Sequence, residues 1–477
     1  MLAFFLLHAM RGRTARVQGP DLKLKSPHIG LHPGDSACAK QLPVGTDSKW
    51  LANRVTRRVK LHKHLHRPVD LKILFVHQNF PGQFRHLAPA LAAAGHDVHA
   101  LAISGQPCPG VTLHAYQPKR TLPAGVQMLT QDFEVKVIRG EAAALAMIEL
   151  RKTGFVPDLV IANPGWGEAL FIKDVWPACR LVCLLEYFYR AEGGDVGFDP
   201  EFPATGALPG ARLHVKNASL LSAMNSMDLG IAPTAWQREC LPAAFQPRVI
   251  ELFDGIDTDA VTPDAQAAVR LPDGTALRAG DPVVTFVSRN LEPYRGYHVF
   301  MRALPALLAA NPDAQVLIVG GDSVSYGAPA PAGQTWKQIY LDEVSGRIDA
   351  SRVHFLGRLP YAQFLNVLKV SAAHVYLTYP FVLSWSCLEA MSAGCHVIGS
   401  ATRPVQDFVE HGVNGTLVDF FDVDALARTI ATTLDGRGTD QALRERARAT
   451  AVERCDLRRV TLPRYRQVLS ELMNAPV

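Results

Sequence analysis

From Leu71 onward the chain alternates short apolar runs with helical patterns, and it does so in two successive rounds. Residues 72–77 read as a buried strand and QNFPGQF bends at Pro81 and Gly82; Leu87, Ala90, Leu91 and Ala94 then share one helical face, which Gly95 closes before a second strand over 97–103. Such a βαβ opening commits the rest of the domain to a parallel sheet covered by helices. After a variable stretch the rhythm resumes, with strands expected over 158–162, 180–185, 229–232 and 248–252 and helices over 168–175 and 213–224. Thr234, with Gln237 three residues on, caps one more helix. FDGIDTD and the Pro-, Gly- and Ala-rich stretch up to Asp281 read as a crossing between domains. Beyond it, strands are expected over 283–287, 315–319, 353–356, 374–377, 396–399 and 416–418, with a helix over 297–310. The expectation is an α/β protein of two Rossmann-like doubly wound domains, 71–255 and 256–459, facing a cleft. A last helix over about 460–475, with Pro463 suited to a first helical position, is free to pack back on the first domain.

Composition supports a globular chain, since 477 residues that are 48% hydrophobic supply large cores. The net charge of +5 is unevenly spread. Residues 1–70 hold 13 Lys or Arg against 4 Asp and no Glu, a local +9, which leaves 36 basic against 40 acidic residues, or −4, for the rest. The extension therefore reads as a solvated, disordered leader, and the slightly acidic remainder gives no support to nucleic-acid binding. His62, His64 and His66 alternate within it, but no Cys or carboxylate joins them in a zinc pattern. The eight Cys fall singly apart from Cys179 and Cys183, the pattern of reduced, buried thiols in a cytoplasmic protein. No apolar run reaches the roughly 18 residues that span a bilayer. The opening MLAFFLLHAM lacks the basic start of a secretory signal.

Chemistry concentrates in the turns at the ends of strands, where open α/β sheets bind ligands. Gly82 lets the backbone bend and lets a ligand approach a helix start, although there is no G-x-G-x-x-G. NPGWGE sets Asn163, Trp166 and Glu168 after one strand, and the long loop EYFYRAEGGDVGFDPEF, which opens on Glu186, comes after the next. In the second half, SRNLEPYRG sets Arg289 six residues before Arg295, and Gly296 opens a helix. Two guanidiniums there suit a diphosphate; the plainer alternative is a pair of solvated loop cations. In YPFVLSWSCLEAMSAG, Ser386 stands three residues before Glu389, the spacing of a capping box, and the same helix start suits an anionic ligand. Glu389 is then either a cap or a ligand contact.

FVSRN-x5-G, the IVGGD turn, VHFLGRLP and LSWSCLEAMSAG-x2-VIGS, in that order, resemble the donor-binding domain of retaining glycosyltransferase family 4, which has the GT-B fold. HQNFPGQFRHLAPALAAAGHDV, NPGWGE and EYFYRAEGGDVGFDPEFP are similar to the N-terminal domain of one bacterial subgroup of that family. The resemblance runs over residues 71–475 and leaves out 1–70. It implies that Arg289 and Arg295 hold the donor's diphosphate, where the family places an Arg and a Lys in a role a divalent cation plays elsewhere. It also implies that Gly82, Ser384, Trp385 and Glu389 belong to the donor site, with Glu389, the second Glu of an E-x7-E motif, on the nucleotide ribose. Phe381 stands where that motif has its first Glu, and Ser384 where the next turn has a Gly. Both departures bear on which sugar is held and how actively it is moved. Glu186 occupies a strand end where many members carry a His near the reacting centre, and a carboxylate there would contact a donor hydroxyl or orient the acceptor.

The reaction so implied is retaining transfer from a nucleotide-diphosphate sugar to a hydroxyl, with that sugar as co-substrate and neither a cofactor nor a metal. Arg289 and Arg295 would stabilise charge growing on the leaving diphosphate, which itself takes the acceptor's proton, while domain closure excludes water. A saccharide, a lipid-linked precursor or a small hydroxyl compound is the expected acceptor, in polysaccharide or glycolipid biosynthesis at the cytoplasmic face of a membrane. Two other readings stay open at this level. One is a nucleotide-sugar epimerase on the same double-domain plan; the other, motivated by Phe381, is a sugar-nucleotide binding protein without turnover.

Overall fold

The computed structural model describes residues 70–204, 208–436 and 441–476; the basic extension, with its alternating histidines, lies outside them. The first sheet holds β1 (Lys72–Val76), β2 (Asp97–Ala102), β3 (Val111–Ala115), β4 (Leu159–Ala162), β5 (Arg180–Leu184), β6 (Leu229–Ala232) and β7 (Val249–Glu251). Their order is β3-β2-β1-β4-β5-β6-β7, parallel throughout. Alternate residues of β1 point to opposite faces: Ile73 and Phe75 enter one core, Leu74 and Val76 the other. Both faces are therefore apolar, which is why such strands read as continuous hydrophobic runs.

An antiparallel hairpin, β8 (Ala268–Arg270) and β9 (Ala276–Arg278), interrupts the stretch read from sequence as a plain crossing. Its PDG turn carries a local signal, and the Asp273 side chain accepts from the Thr275 amide at 2.9 Å. The second sheet comprises β10 (Val283–Asn290), β11 (Gln315–Gly321), β12 (Val353–Gly357), β13 (Ala373–Tyr376), β14 (His396–Ser400) and β15 (Thr416–Val418), all parallel in the order β12-β11-β10-β13-β14-β15. Strand order reverses between β1 and β4 in one sheet and between β10 and β13 in the other. Those are the switch points at which open sheets leave a crevice.

Two departures from expectation lie in the first domain. Strand β3 and the helix Gln131–Lys152 fill the stretch that sequence reading left as variable. The helix buries a mixed face, Lys136, Ile138, Gly140, Ala143, Met147 and Leu150, in which a charged and two small residues interrupt the apolar ones, so its period is weak. Of the helix expected over 168–175 only one turn forms, at Ile172–Val175, with a separate 3₁₀ turn before it at Pro164–Trp166. Gly167 explains the break: at φ +107°, a Cβ there would lie 2.2 Å from the Lys136 carbonyl oxygen.

The chain crosses between the sheets twice, side by side, as Ile256 bonds Cys455 and Leu457 through backbone groups at 2.8 Å each. The final helix, Leu462–Asn474, then buries Tyr465 and Leu469 in the core that holds Ile73, Phe75 and Leu91. A third link is the long loop after β5. Its Phe198 and Phe202 pack on the core of the second domain, Asp199 accepts from Tyr379 at 2.6 Å and lies 3.0 Å from His298, and Glu201 meets Arg302 at 2.7 and 3.0 Å.

Candidate active site

The carboxyl ends of the two sheets face a cleft of about 410 Å³. Gly82, Glu186, Arg289, Arg295, Ser384 and Trp385, all singled out from sequence, line it. From the first half of the chain come the segments after β1, β4, β5, β6 and β7; from the second come the end of β10 with the segment after it, the loop after β11 and the run into the helix Trp385–Ser392.

Arg295 is buried, and its Nη1 donates to Thr378 Oγ1 at 2.8 Å, to the Val382 carbonyl at 3.0 Å and to the Tyr376 hydroxyl at 3.2 Å. One edge of the planar group is thus pinned, and among the described residues no carboxylate bonds to it, although the charge of Glu292 is felt there. Arg289 is exposed and makes no hydrogen bond or ion pair among the described residues. A fixed cation and an uncommitted one therefore share the cleft.

Opposite them, Glu186 accepts from Asn163 Nδ2 at 2.8 Å and, through its other oxygen, from Gln83 Nε2. Burial raises its pKa, while the Asn163 and Gln83 bonds and the Arg289 charge pull the other way. The chain of bonds behind it has a direction. The Asn79 amide donates to His77 Nδ1 at 3.0 Å, so the proton sits on Nε2, which lies 2.7 Å from Gln83 Oε1. His77 then donates to Gln83, and Gln83 to Glu186. Burial lowers the His77 pKa, in keeping with this neutral tautomer. Gly82 serves the same relay, because at φ +48° a Cβ would fall 2.4 Å from His77 Cε1. The absence of a side chain at Gly82 thus makes room for the imidazole, and Gly82 itself lines the cleft.

A second carboxylate, Asp254 of the FDGID segment, lines the cleft and accepts from Trp385 Nε1 at 2.8 Å. Burial pushes its pKa up to about 7, against the Trp385 bond and with the help of the Glu186 charge. The face of Trp385 is covered across the cleft by Arg85, whose Cζ is 4.5 Å from the ring centroid.

Glu389 is not a cap. The helix starts at Trp385, two residues earlier than a cap at Ser386 requires; Ser386 Oγ bonds Ser384 Oγ at 3.1 Å, and Glu389 accepts from the Tyr361 hydroxyl at 2.7 Å. Its carboxylate is buried a full turn into the helix, outside the lining of the cleft, and burial raises its pKa. Glu168 also moves away from the cleft, into the core, where it accepts from Tyr116 at 2.9 Å. Phe381 is 5% exposed and packs edge-on to Tyr187 at 4.6 Å and to Tyr294 at 5.4 Å, so no polar group at that position reaches the cleft.

Sequence reasoning missed His77, Gln83, Asp254 and Tyr326, all of which line the cleft. The first two lie in a turn whose local signal is its Pro and Gly, and Asp254 lies in a segment with the composition of a linker. Among the described residues, no group of three or more His, Cys, Asp or Glu is placed to hold a metal ion, and no helix is long and apolar enough to cross a membrane.

Comparison with known proteins places this geometry. Residues 94–261 match the family model described as Glycosyl transferase family 4 group, and residues 271–450 match Glycosyl transferases group 1. The chain is 30% identical over 201 residues to the D-inositol 3-phosphate glycosyltransferase of Mycolicibacterium smegmatis, covering 42% of this chain and 43% of that protein. It is 27% identical over 288 residues to the GDP-mannose-dependent alpha-(1-6)-phosphatidylinositol monomannoside mannosyltransferase of the same organism, covering 56% and 66%. The matches thus span less than half the length of the first of these relatives and about two thirds of the second. Among solved structures, HepE of Anabaena in complex with UDP and glucose superposes with a TM-score of 0.58 at 18% identity, over 84% of this chain and 100% of that one. Sucrose-phosphate synthase of Thermosynechococcus elongatus superposes at 0.61 and 20% identity, over 84% and 100%. Those two likenesses carry the fold, which is GT-B. Two family models end to end, on two Rossmann-like domains about a cleft, make this chain a member of the group 1 glycosyltransferases.

Proposed function

We propose that this protein is a retaining, metal-independent glycosyltransferase that moves a sugar from a nucleoside diphosphate sugar to a hydroxyl of a lipid-linked or saccharide acceptor, at a membrane surface. The reading rests on one observation: Arg289 and Arg295 share a single cleft with Glu186, at the switch points of both sheets. As the glycosidic bond breaks, negative charge grows on the leaving diphosphate beside two guanidiniums that need no metal to complete them. Glu186 faces the sugar. Both its oxygens accept from donors whose own bonds run toward it, so the relay orients a carboxylate and does not deliver a proton. The acceptor's proton goes to the leaving phosphate, and closure about the cleft keeps water from competing.

GDP-mannose in the name of one relative and UDP in the solved structures make both nucleotides the donors to try. Purified protein is incubated with UDP-glucose or GDP-mannose, a pool of inositol phosphate and phosphatidylinositol acceptors, and EDTA. Transfer that keeps the donor's anomeric configuration, read by NMR, is expected. An inverted linkage, a strict need for Mg²⁺ or Mn²⁺, or conversion of the donor to an epimer overturns the reading.

A further inference from the structure

The loop after β11 reaches the cleft by way of a side chain the mechanism above does not use. Glu292 is fully buried, lies between Arg289 and Arg295 in the chain, and bonds no side chain among the described residues. It accepts instead from three successive backbone amides: Ser325 at 3.0 Å through Oε1, and Tyr326 at 3.2 Å and Gly327 at 3.0 Å through Oε2. Three N–H groups converging on one carboxylate hold a loop as firmly as a bound anion would. The loop is also tied on either side. Asn290 Nδ2 donates to Ser325 Oγ at 2.7 Å, and Trp336 Nε1 donates to the Ala328 carbonyl at 2.9 Å. Between these ties stands Tyr326, 39% exposed and lining the cleft, with its ring centroid 5.1 Å from Cζ of Arg295. The ring also packs against Phe381 at 5.1 Å and Tyr294 at 6.0 Å, which leaves its remaining face turned to the cleft. The ring covers the one pinned cation of the site.

We infer that Tyr326 is a donor-contacting residue, packed against the diphosphate that reaches Arg295, and that Glu292 is the positioning residue that presents it. This rests on the donor reading above. The ring removes water from one face of the guanidinium, which strengthens its field at an arriving phosphate. Glu292 presents the ring through the loop, and its charge is also felt at Arg295.

The test is a double-mutant cycle on the full chain, with Kd for UDP, GDP and inorganic pyrophosphate measured by calorimetry. Tyr326→Ala is expected to weaken pyrophosphate and the nucleoside diphosphate that binds by about 10-fold, with Tm lowered slightly by the lost contacts to Phe381 and Tyr294. Glu292→Gln sets an amide donor against backbone donors, so it is expected to weaken binding to a similar degree. The double variant is expected to be no weaker than Tyr326→Ala alone, because both act through one ring. Independent, multiplicative losses would show Glu292 to be structural only and overturn its role, and full affinity in Tyr326→Ala would overturn the contact. Tyr326→Phe, which keeps the ring, is expected to retain most of the affinity; a loss as large as that of Tyr326→Ala would overturn the packing role. A wild-type protein that binds none of the three probes overturns the donor reading itself, and this inference with it.

Discussion

At the scale of single residues, the two arginines differ in what they do for the fold. Arg289 makes no hydrogen bond or ion pair among the described residues, whereas Arg295 is buried on three acceptors. Arg289→Ala should therefore leave the urea midpoint where it is and cost about 1.5–3 kcal/mol in nucleoside diphosphate affinity, while Arg295→Ala should lose both affinity and about 1–3 kcal/mol of stability. Equal stability losses in the two variants would contradict this division. Asp254 gives a pH signature. Its carboxyl is pushed from 3.8 to about 7, so between those values the folded protein holds a proton that the unfolded chain has released. Stability contributed by this group falls as pH rises through that window and is level above it. Asp254→Asn, whose amide oxygen still accepts from Trp385, should flatten the stability profile between about pH 4 and 7. An unchanged slope in denaturant titrations would show that the carboxyl is not the source.

Among elements, the helix Trp385–Ser392 shows how a small displacement of a helix start changes a residue's role. S-x-x-E spacing marks a cap only if the helix begins just after the Ser, and here it begins at Trp385, before it. Glu389 accordingly turns to Tyr361, and Glu389→Gln can keep that bond through its amide oxygen while losing its charge. Stability should barely move. The ribose contact that the family resemblance implies requires nucleoside diphosphate affinity to fall by about 1.5–3 kcal/mol, roughly 10- to 150-fold, and unchanged affinity by calorimetry would leave Glu389 with the packing role that its burial outside the cleft lining gives it. Strands that are short apolar runs buried on both faces, such as β13 and β14, are legible in the sequence to within a residue or two, whereas β3, with no fully buried residue, is not, and β10 runs three residues beyond its apolar stretch. The helix Gln131–Lys152 is not legible either, because Gly140, Ala143 and a buried Lys136 blur its apolar stripe.

For the molecule as a whole, the loop after β5 decides how the two sheets are held about the cleft. Asp199 and His298 are each about 2% exposed on their side chains and lie 3.0 Å apart, one from each half. His298→Ala leaves the carboxylate buried with one partner fewer and should cost about 3 kcal/mol in denaturant unfolding, with the loss smaller when Asp199→Asn accompanies it. Purely additive losses would show that the two do not act as a pair. Local sequence was enough to specify the alternation of strand and helix, hence two parallel sheets, and to show which turns carry charge, because period and turn chemistry are properties of neighbouring residues. Packing in three dimensions was needed to settle that Gly82 makes room for His77, that Asp254 reaches the cleft, that Phe381 withdraws among aromatic rings, and that Tyr326 stands over Arg295. Those outcomes depend on which surfaces the two domains bring together from positions far apart in the chain, and no local pattern encodes such a meeting.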